Sequence, residues 1–278
     1  MRFLAIVRFT LEEAARRRVL LAMLLCGGAF LVLYAVGFHF LVRDLAGEKG
    51  AMATLTRQFV VNMFTIAGLF AVNFLMVMSA VLLPVDTLSG EITTGVLQTV
   101  AARPVARAEI VLGKWLGHLL VVWGYLLALA SGVLAIAWFT AHRAPPHVPA
   151  AFACLALEAA VLVSLSIAGG ARLSTVTNGV LAFGLFGFAF LGGWVEQIGS
   201  FVNNDATRNI GTVTSLIMPT DAMWHLAAHL LQPPFLAQMR MSPFSMGPVP
   251  SAAMVVWAVL WIVAALASAV RGFRRRPL

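Results

Sequence analysis

Six apolar runs, parted by short polar stretches, set the pattern of this chain. They cover residues 19–42, 59–85, 108–139, 150–171, 179–198 and 251–270. Each reaches or exceeds the roughly 20 residues that cross a hydrocarbon core about 30 Å thick. Lipid offers no partner to an unpaired backbone group, so each run predicts a transmembrane α-helix. The first run is too long for the apolar part of a secretory signal, about 7–15 residues, and Glu12 and Glu13 stand before it, where such a signal is basic.

The stretches between and beside the runs have patterns of their own. In residues 1–18, Phe3, Leu4, Val7, Leu11 and Ala14 recur at helical spacing. Arg8–Glu12, Glu12–Arg16 and Glu13–Arg17 are i,i+4 pairs. The pattern predicts an amphipathic helix lying in the membrane interface. Residues 200–250 form the longest non-spanning part. Within it, residues 221–231 predict a short helix with Thr220 as its N-cap and Pro233 and Pro234 as its stop. Its apolar face predicts that it lies on the membrane surface or folds back into the protein.

Composition narrows the class. The 278 residues are 61% hydrophobic and 11% charged, with mean hydropathy +0.93. Soluble domains are about 25% charged, so these charges cannot cover a water-facing surface of this size. The fold class is an all-α membrane protein, a single transmembrane domain over residues 1–278. The net charge of +8 sits at the ends of the runs, where it sets topology, so it does not indicate nucleic acid. With the N-terminus inside, 13 of the 19 Lys and Arg fall on the inner side, as the positive-inside rule requires. Both termini are then cytoplasmic. Cys26 and Cys154 lie inside apolar runs and form no metal or disulfide pattern.

Candidate chemistry is sparse. No phosphate-binding GxxxxGK[ST] loop, HExxH or GxSxG occurs, which speaks against an enzyme and against nucleotide binding by this chain. Glu158 is the one carboxylate well inside a run. An intramembrane acid faces a bundle or a cavity, so it is a candidate for the substrate path, with Asn62 and Asn73 as weaker companions. A protonated or Ser/Asn-bonded packing contact is the alternative, and the lack of a second charge well inside a run favours it. Asp221, His225 and His229 share one helix face at i, i+4, i+8, with methionines nearby in the same outer segment. Imidazole and thioether suit a soft metal; ordinary interfacial packing is the alternative. Gly179, Gly184, Gly187, Gly192 and Gly193 crowd the fifth run and predict close helix packing or a hinge. Gly113 and Gly117 form a lone GxxxG.

One polar interruption stands out. Residues 86–107 lie between the second and third runs. Leu88, Ile92, Val96, Leu97 and Val100 make an apolar stripe, with Glu91 off it. Gly90 and Gly95 weaken the helix, so it needs a partner or the membrane surface. Pro104 cannot continue a helix but suits the first turn of the next. The third run, residues 108–139, predicts a helix about 48 Å long, which protrudes from the bilayer.

The sequence "SGEITTGVLQTVAARPVARAEIVLGKWLG" resembles the region after the second span of ABC-2 type transporter permeases. Gly90, Glu91, Gly95, Leu97, Pro104, Val105, Arg107, Leu112, Gly113 and Lys114 match that pattern. Val96 stands in place of Thr and Ala106 in place of Ser. The layout and "IMPTD" after the fifth run extend the likeness to the whole chain. The resemblance implies that residues 86–107 hold a cytoplasmic coupling helix. Glu91, Ile92, Gly95, Val96, Leu97, Pro104, Arg107 and Lys114 would then dock on a separate ATP-binding subunit, which carries ATP and Mg. It also implies a second permease subunit, the same or different, and an inner-membrane location. An ATPase-independent carrier or channel, or a membrane anchor or assembly factor, remain as alternatives from the residues alone.

Overall fold

The computed structural model describes residues 2–45, 47, 50–90, 106–202, 205–234 and 249–275. Among these it is all helical. The helices are α1 (Arg2–Arg16), α2 (Arg18–Leu45), α3 (Ala51–Leu82), α4 (Arg107–Ala141), α5 (Val148–Gly170), α6 (Thr175–Val202), α7 (Asp205–Ile217), α8 (Thr220–Leu230) and α9 (Ala252–Arg275). Six of them, α2 to α6 and α9, are long and apolar enough to cross a membrane. Each of the six apolar runs lies on one of these six helices, apart from up to three residues at a run's end.

Helices α4 and α5 form the axis of the bundle. α4 packs against α1, α2, α3, α5 and α9, while α5 packs against α3, α4, α6, α8 and α9. Their shared core is aliphatic, with Ile66, Leu69, Val72 and Met76 from α3 meeting Val122 and Leu126 of α4 and Leu155 and Leu162 of α5. Lipid is as apolar as these side chains, so close packing and hydrogen bonds must supply the association between helices. Trp123 Nε1 donates to the Ala156 carbonyl at 2.9 Å and Trp115 Nε1 to Ser164 Oγ at 2.9 Å, tying α4 to α5. Tyr125 OH donates to the Met23 carbonyl at 2.9 Å, tying α4 to α2. Outward-facing Leu25, Leu33, Leu191 and Val263 are exposed, as lipid-facing residues must be.

α1 packs along the first turns of α4. Its buried face is Val7, Thr10 and Ala14, whereas Leu4 and Phe9 are exposed. The inward stripe keeps Val7 and Ala14 of the one expected from sequence, and Thr10 joins it by closing its hydroxyl onto the Ile6 carbonyl at 2.9 Å and presenting its methyl to the interface. Gly113 and Gly117 make the seat. A Cβ at Gly113 would lie 2.8 Å from Ile6 Cγ2, and one at Gly117 2.7 Å from Thr10 Cβ. The lone GxxxG thus has α1 as its partner.

At the opposite end of the bundle the chain doubles back. α7 runs along the last turns of α6, with Gly192 facing Thr214 and Gly211 facing Glu196. α7 ends under α9, where Trp257 Nε1 and Trp261 Nε1 each donate at 2.9 Å to the carbonyls of Leu216 and Ile217. These are the orphan acceptors that a helix C-terminus leaves. α8 then packs into the bundle against α5 and α6. Of the two expected positions for this helix, the inward one is found. The expected N-cap is corrected: Pro219 precedes α8, and Thr220 is its first residue, buried, with no partner for Oγ1.

Candidate functional site

Glu91, Ile92, Gly95, Val96, Leu97 and Pro104 lie outside the described residues; the chain on both sides of them is described. On the entering side, residues 83–90 leave α3 in turns held by hydrogen bonds from three directions. Asn178 Nδ2 on α6 donates to the carbonyls of Val85 at 3.2 Å and Ser166 at 2.8 Å. Thr175 Oγ1 donates to Asp86 Oδ1 at 2.8 Å and sits 2.8 Å from Ser89 Oγ. Thr87 Oγ1 lies 3.0 Å from His118 Nε2 on α4. A Cβ at Gly169 would overlap Asn178, so this fit requires glycine. On the leaving side, Arg107 Nη1 donates to the carbonyls of Phe273 at 3.1 Å and Arg274 at 3.0 Å. Arg172 Nη2 donates to the Ser268 carbonyl at 2.9 Å. Both ends of residues 91–105 are thereby fixed to α4, α6 and α9.

Two residues read as docking contacts make contacts within the chain. Arg107 neutralises the carbonyl end of α9, a favourable place for a cation. Lys114 is 5% exposed, because α1 covers this part of α4. It faces Glu13, whose carboxylate also pairs with Arg17 Nη2 at 2.5 Å. Burial opposes ionisation of Glu13, but the Arg17 bond and the charges of Lys114, Arg17 and His118 hold its carboxyl below the ordinary 4.5. Thr87, Asn178 and Thr175 were not singled out from sequence. For Thr175 and Asn178 the signal available was the polar cluster "STVTN", residues 174–178, just before the fifth run.

The intramembrane candidates converge in part. Glu158 on α5 is 1% exposed, and its Oε1 accepts from Asn73 Nδ2 of α3 at 3.2 Å. Asn62 is half-buried, about three helical turns from Asn73 along α3, and does not join them. Asp221, assigned from sequence to the outer segment, instead points into the bundle and lines the same small cavity as Asn73 and Glu158. Glu158 is therefore not the sole buried acid. Gly193 makes room for it, since a Cβ there would overlap the Asp221 carboxylate. His225 Nε2 is 3.2 Å from Asp221 Oδ2 and 3.1 Å from Gln197 Nε2. The contact with Asp221 has ion-pair distance but not the alignment of a hydrogen bond. Burial disfavours protonated His225, yet the charge of Asp221, its contact and Glu196 together raise its pKa above 6.5.

His229 does not complete a metal site with this pair. Among the described residues no three His, Cys, Asp or Glu side chains come together to hold an ion. The spacing explains it: i to i+8 spans about 12 Å of helix, far beyond the roughly 4 Å between two ligands of one ion at bond lengths near 2 Å.

Six apolar spanning helices around an aliphatic core define an integral multi-pass membrane protein. The family description "ABC-2 family transporter protein" matches residues 7–278, and the chain belongs to that family. Among curated relatives, it is similar to the "Probable ABC transporter permease protein NosY" of Stutzerimonas stutzeri, 35% identical over 134 residues, 48% of this chain and 44% of that protein. The protein of the same name from Pseudomonas aeruginosa is 32% identical over 133 residues, 47% of this chain and 44% of its own. The matches span less than half the length of these relatives.

Proposed function

We propose that this chain is the permease subunit of an ABC-2 type transporter. In this reading two permease subunits, alike or different, form the path across the inner membrane, with all four termini in the cytoplasm. ATP and Mg bind a separate ATPase subunit, and the permease catalyses no reaction itself. Residues 91–105 are the contact with that ATPase.

The family match over residues 7–278 supports this reading, as does the name of the two relatives. The structural observation that carries it is the double clamp. A displacement of residues 91–105 is passed to α4 and α6 through Thr87, Ser89 and Asn178, and to α9 through Arg107. Side-chain hydrogen bonds and packed helices transmit strain because interiors are close-packed. A free loop between the spans would absorb the same displacement.

The test is co-expression with candidate ATP-binding cassette subunits, purification through a tag on this chain, and reconstitution in liposomes. Recovery of a Walker-motif subunit whose ATP hydrolysis changes on reconstitution supports the reading. A chain that moves solute with no ATPase present contradicts it.

A further inference from the structure

Three polar side chains from three helices meet in the middle of the bundle with too few donors among them. Asn73 of α3, Glu158 of α5 and Asp221 of α8 line a cavity of about 10 Å³ walled by Phe70, Phe190 and Trp224. Asn73 is 4% and Glu158 1% exposed. The Asn73 amide donates to Glu158 Oε1, but Glu158 Oε2 and Asn73 Oδ1 have no hydrogen-bond partner, and Asp221 Oδ2 has only the 3.2 Å contact with His225 Nε2. An ionised carboxylate only accepts, so three acceptors face one space. A proton on Glu158 Oε2 converts one of them to a donor. The cavity is at the lower size limit for a single water, about 10–15 Å³. Two carboxylates facing one enclosed space with room for at most a single water resist carrying charge together, and one of such a pair keeps a proton.

A route leads to this place from the end where α6 meets α9. Asp221 also lines a larger cavity of about 210 Å³, with Glu196, Gln197, Ser215, His225 and Ser251. That cavity opens where α6 ends and α9 begins, away from both chain termini. The groups facing Glu158 are Asn73, Asp221 and, on its own helix, Cys154. Those facing His225 are Asp221, Glu196 and Gln197.

We propose that Glu158 and Asp221 form a proton-holding site, filled from the cavity at the α6–α9 end by way of His225. The proton passes from a hydronium ion to His225 Nε2, then to Asp221 Oδ2, and across the enclosed water to Glu158 Oε2. One water is left behind in the outer cavity and no electron moves. Gly193 and Gln197 are positioning residues: the first admits the Asp221 carboxylate and the second orients the imidazole. The site needs no ATPase subunit, so its test is separate from that of the permease reading.

The test uses the full chain in lipid nanodiscs and infrared spectra recorded from neutral to alkaline pH. A protonated-carboxyl C=O band is expected at neutral pH. It shifts to lower frequency when glutamate in the unaltered chain carries ¹³C, and it is lost in Glu158→Gln. In Asp221→Asn its loss moves to lower pH, by about one pH unit, because the like charge is gone. His225→Gln slows its exchange with deuterium. The isotope result needs no variant to fold. Absence of a glutamate-derived band at neutral pH overturns the proposal, as does identical titration in Asp221→Asn. Loss of the band on replacing choline by sodium at fixed pH also overturns it, and assigns the cavity to a sodium ion.

Discussion

Gly117 and Gly124 are both glycines of α4, and the structure predicts opposite outcomes when each becomes Ala. At Gly117 the new Cβ would lie 2.7 Å from Thr10 Cβ and 2.8 Å from Thr10 Cγ2. Carbon atoms rest at about 3.5–4.0 Å, so α1 must move off by about 1 Å. Thr10 Cβ is the root of a side chain whose hydroxyl is held by the Ile6 carbonyl, and no rotamer relieves the clash. Overpacking of this kind costs about 1–3 kcal/mol. At Gly124 nothing lies within 4 Å of the added carbon. There the gain in helix propensity, about 0.5–1 kcal/mol, is all that remains. The two variants should therefore differ by roughly 1.5–4 kcal/mol. Thermal unfolding of the purified full chain measures the difference, and a distance between spin labels on α1 and α4 reports whether α1 has lifted. Equal stability of the two variants, with α1 unmoved in both, refutes the seat.

Trp257→Phe with Trp261→Phe removes two indole donors from the carbonyls of Leu216 and Ile217. A loss of about 1 kcal/mol for each bond, with faster amide exchange in α7, is expected; unchanged exchange would show that α9 does not hold this helix end. The folded pKa of Glu13 lies below the ordinary 4.5. Its contribution is complete above that value and is lost as pH falls through the folded pKa. Spin labels on α1 should report loosening only under acid conditions, with the step absent in Glu13→Gln; loosening in the neutral range contradicts the assignment. For the topology, cysteines introduced near Pro146 should react with an impermeant reagent from outside, and ones near Thr93 or Arg275 should not.

The spans were legible because a helix in lipid requires about 20 apolar residues and nothing else satisfies the backbone. α8 was legible as an element from its proline stop, but the choice between its surface and inward positions was not. That depends on Gly193 and on the α6–α7 hairpin, which no local pattern encodes. The glycines of the fifth run show the same limit. Gly192 and Gly193 are close contacts, with Thr214 and Asp221, while Gly184 and Gly187 face open space. Composition marks all of them alike. Glu158 was legible as a costly acid, yet its second companion, Asp221, lies 63 positions further on, in a segment read as external. Lys114 matched a family motif, and its burial follows from the docking of α1 through Ile6 and Thr10 on Gly113 and Gly117, which the N-terminal sequence alone reads as a surface helix.

The measurement that bears most directly on the account is made on residues 91–105. If Ile92 fills a groove of the ATPase subunit, its burial contributes about 1.5–3 kcal/mol, whereas a rim ion pair from Glu91 adds at most about 1 kcal/mol. Ile92→Asp should therefore weaken the complex roughly tenfold to a hundredfold, and Glu91→Ala should leave it assembled. The assay is recovery of the ATPase subunit on the tagged permease, together with transport-stimulated ATP hydrolysis by the reconstituted pair. The account predicts that Ile92→Asp loses both. Wild-type recovery and wild-type hydrolysis in Ile92→Asp would contradict it.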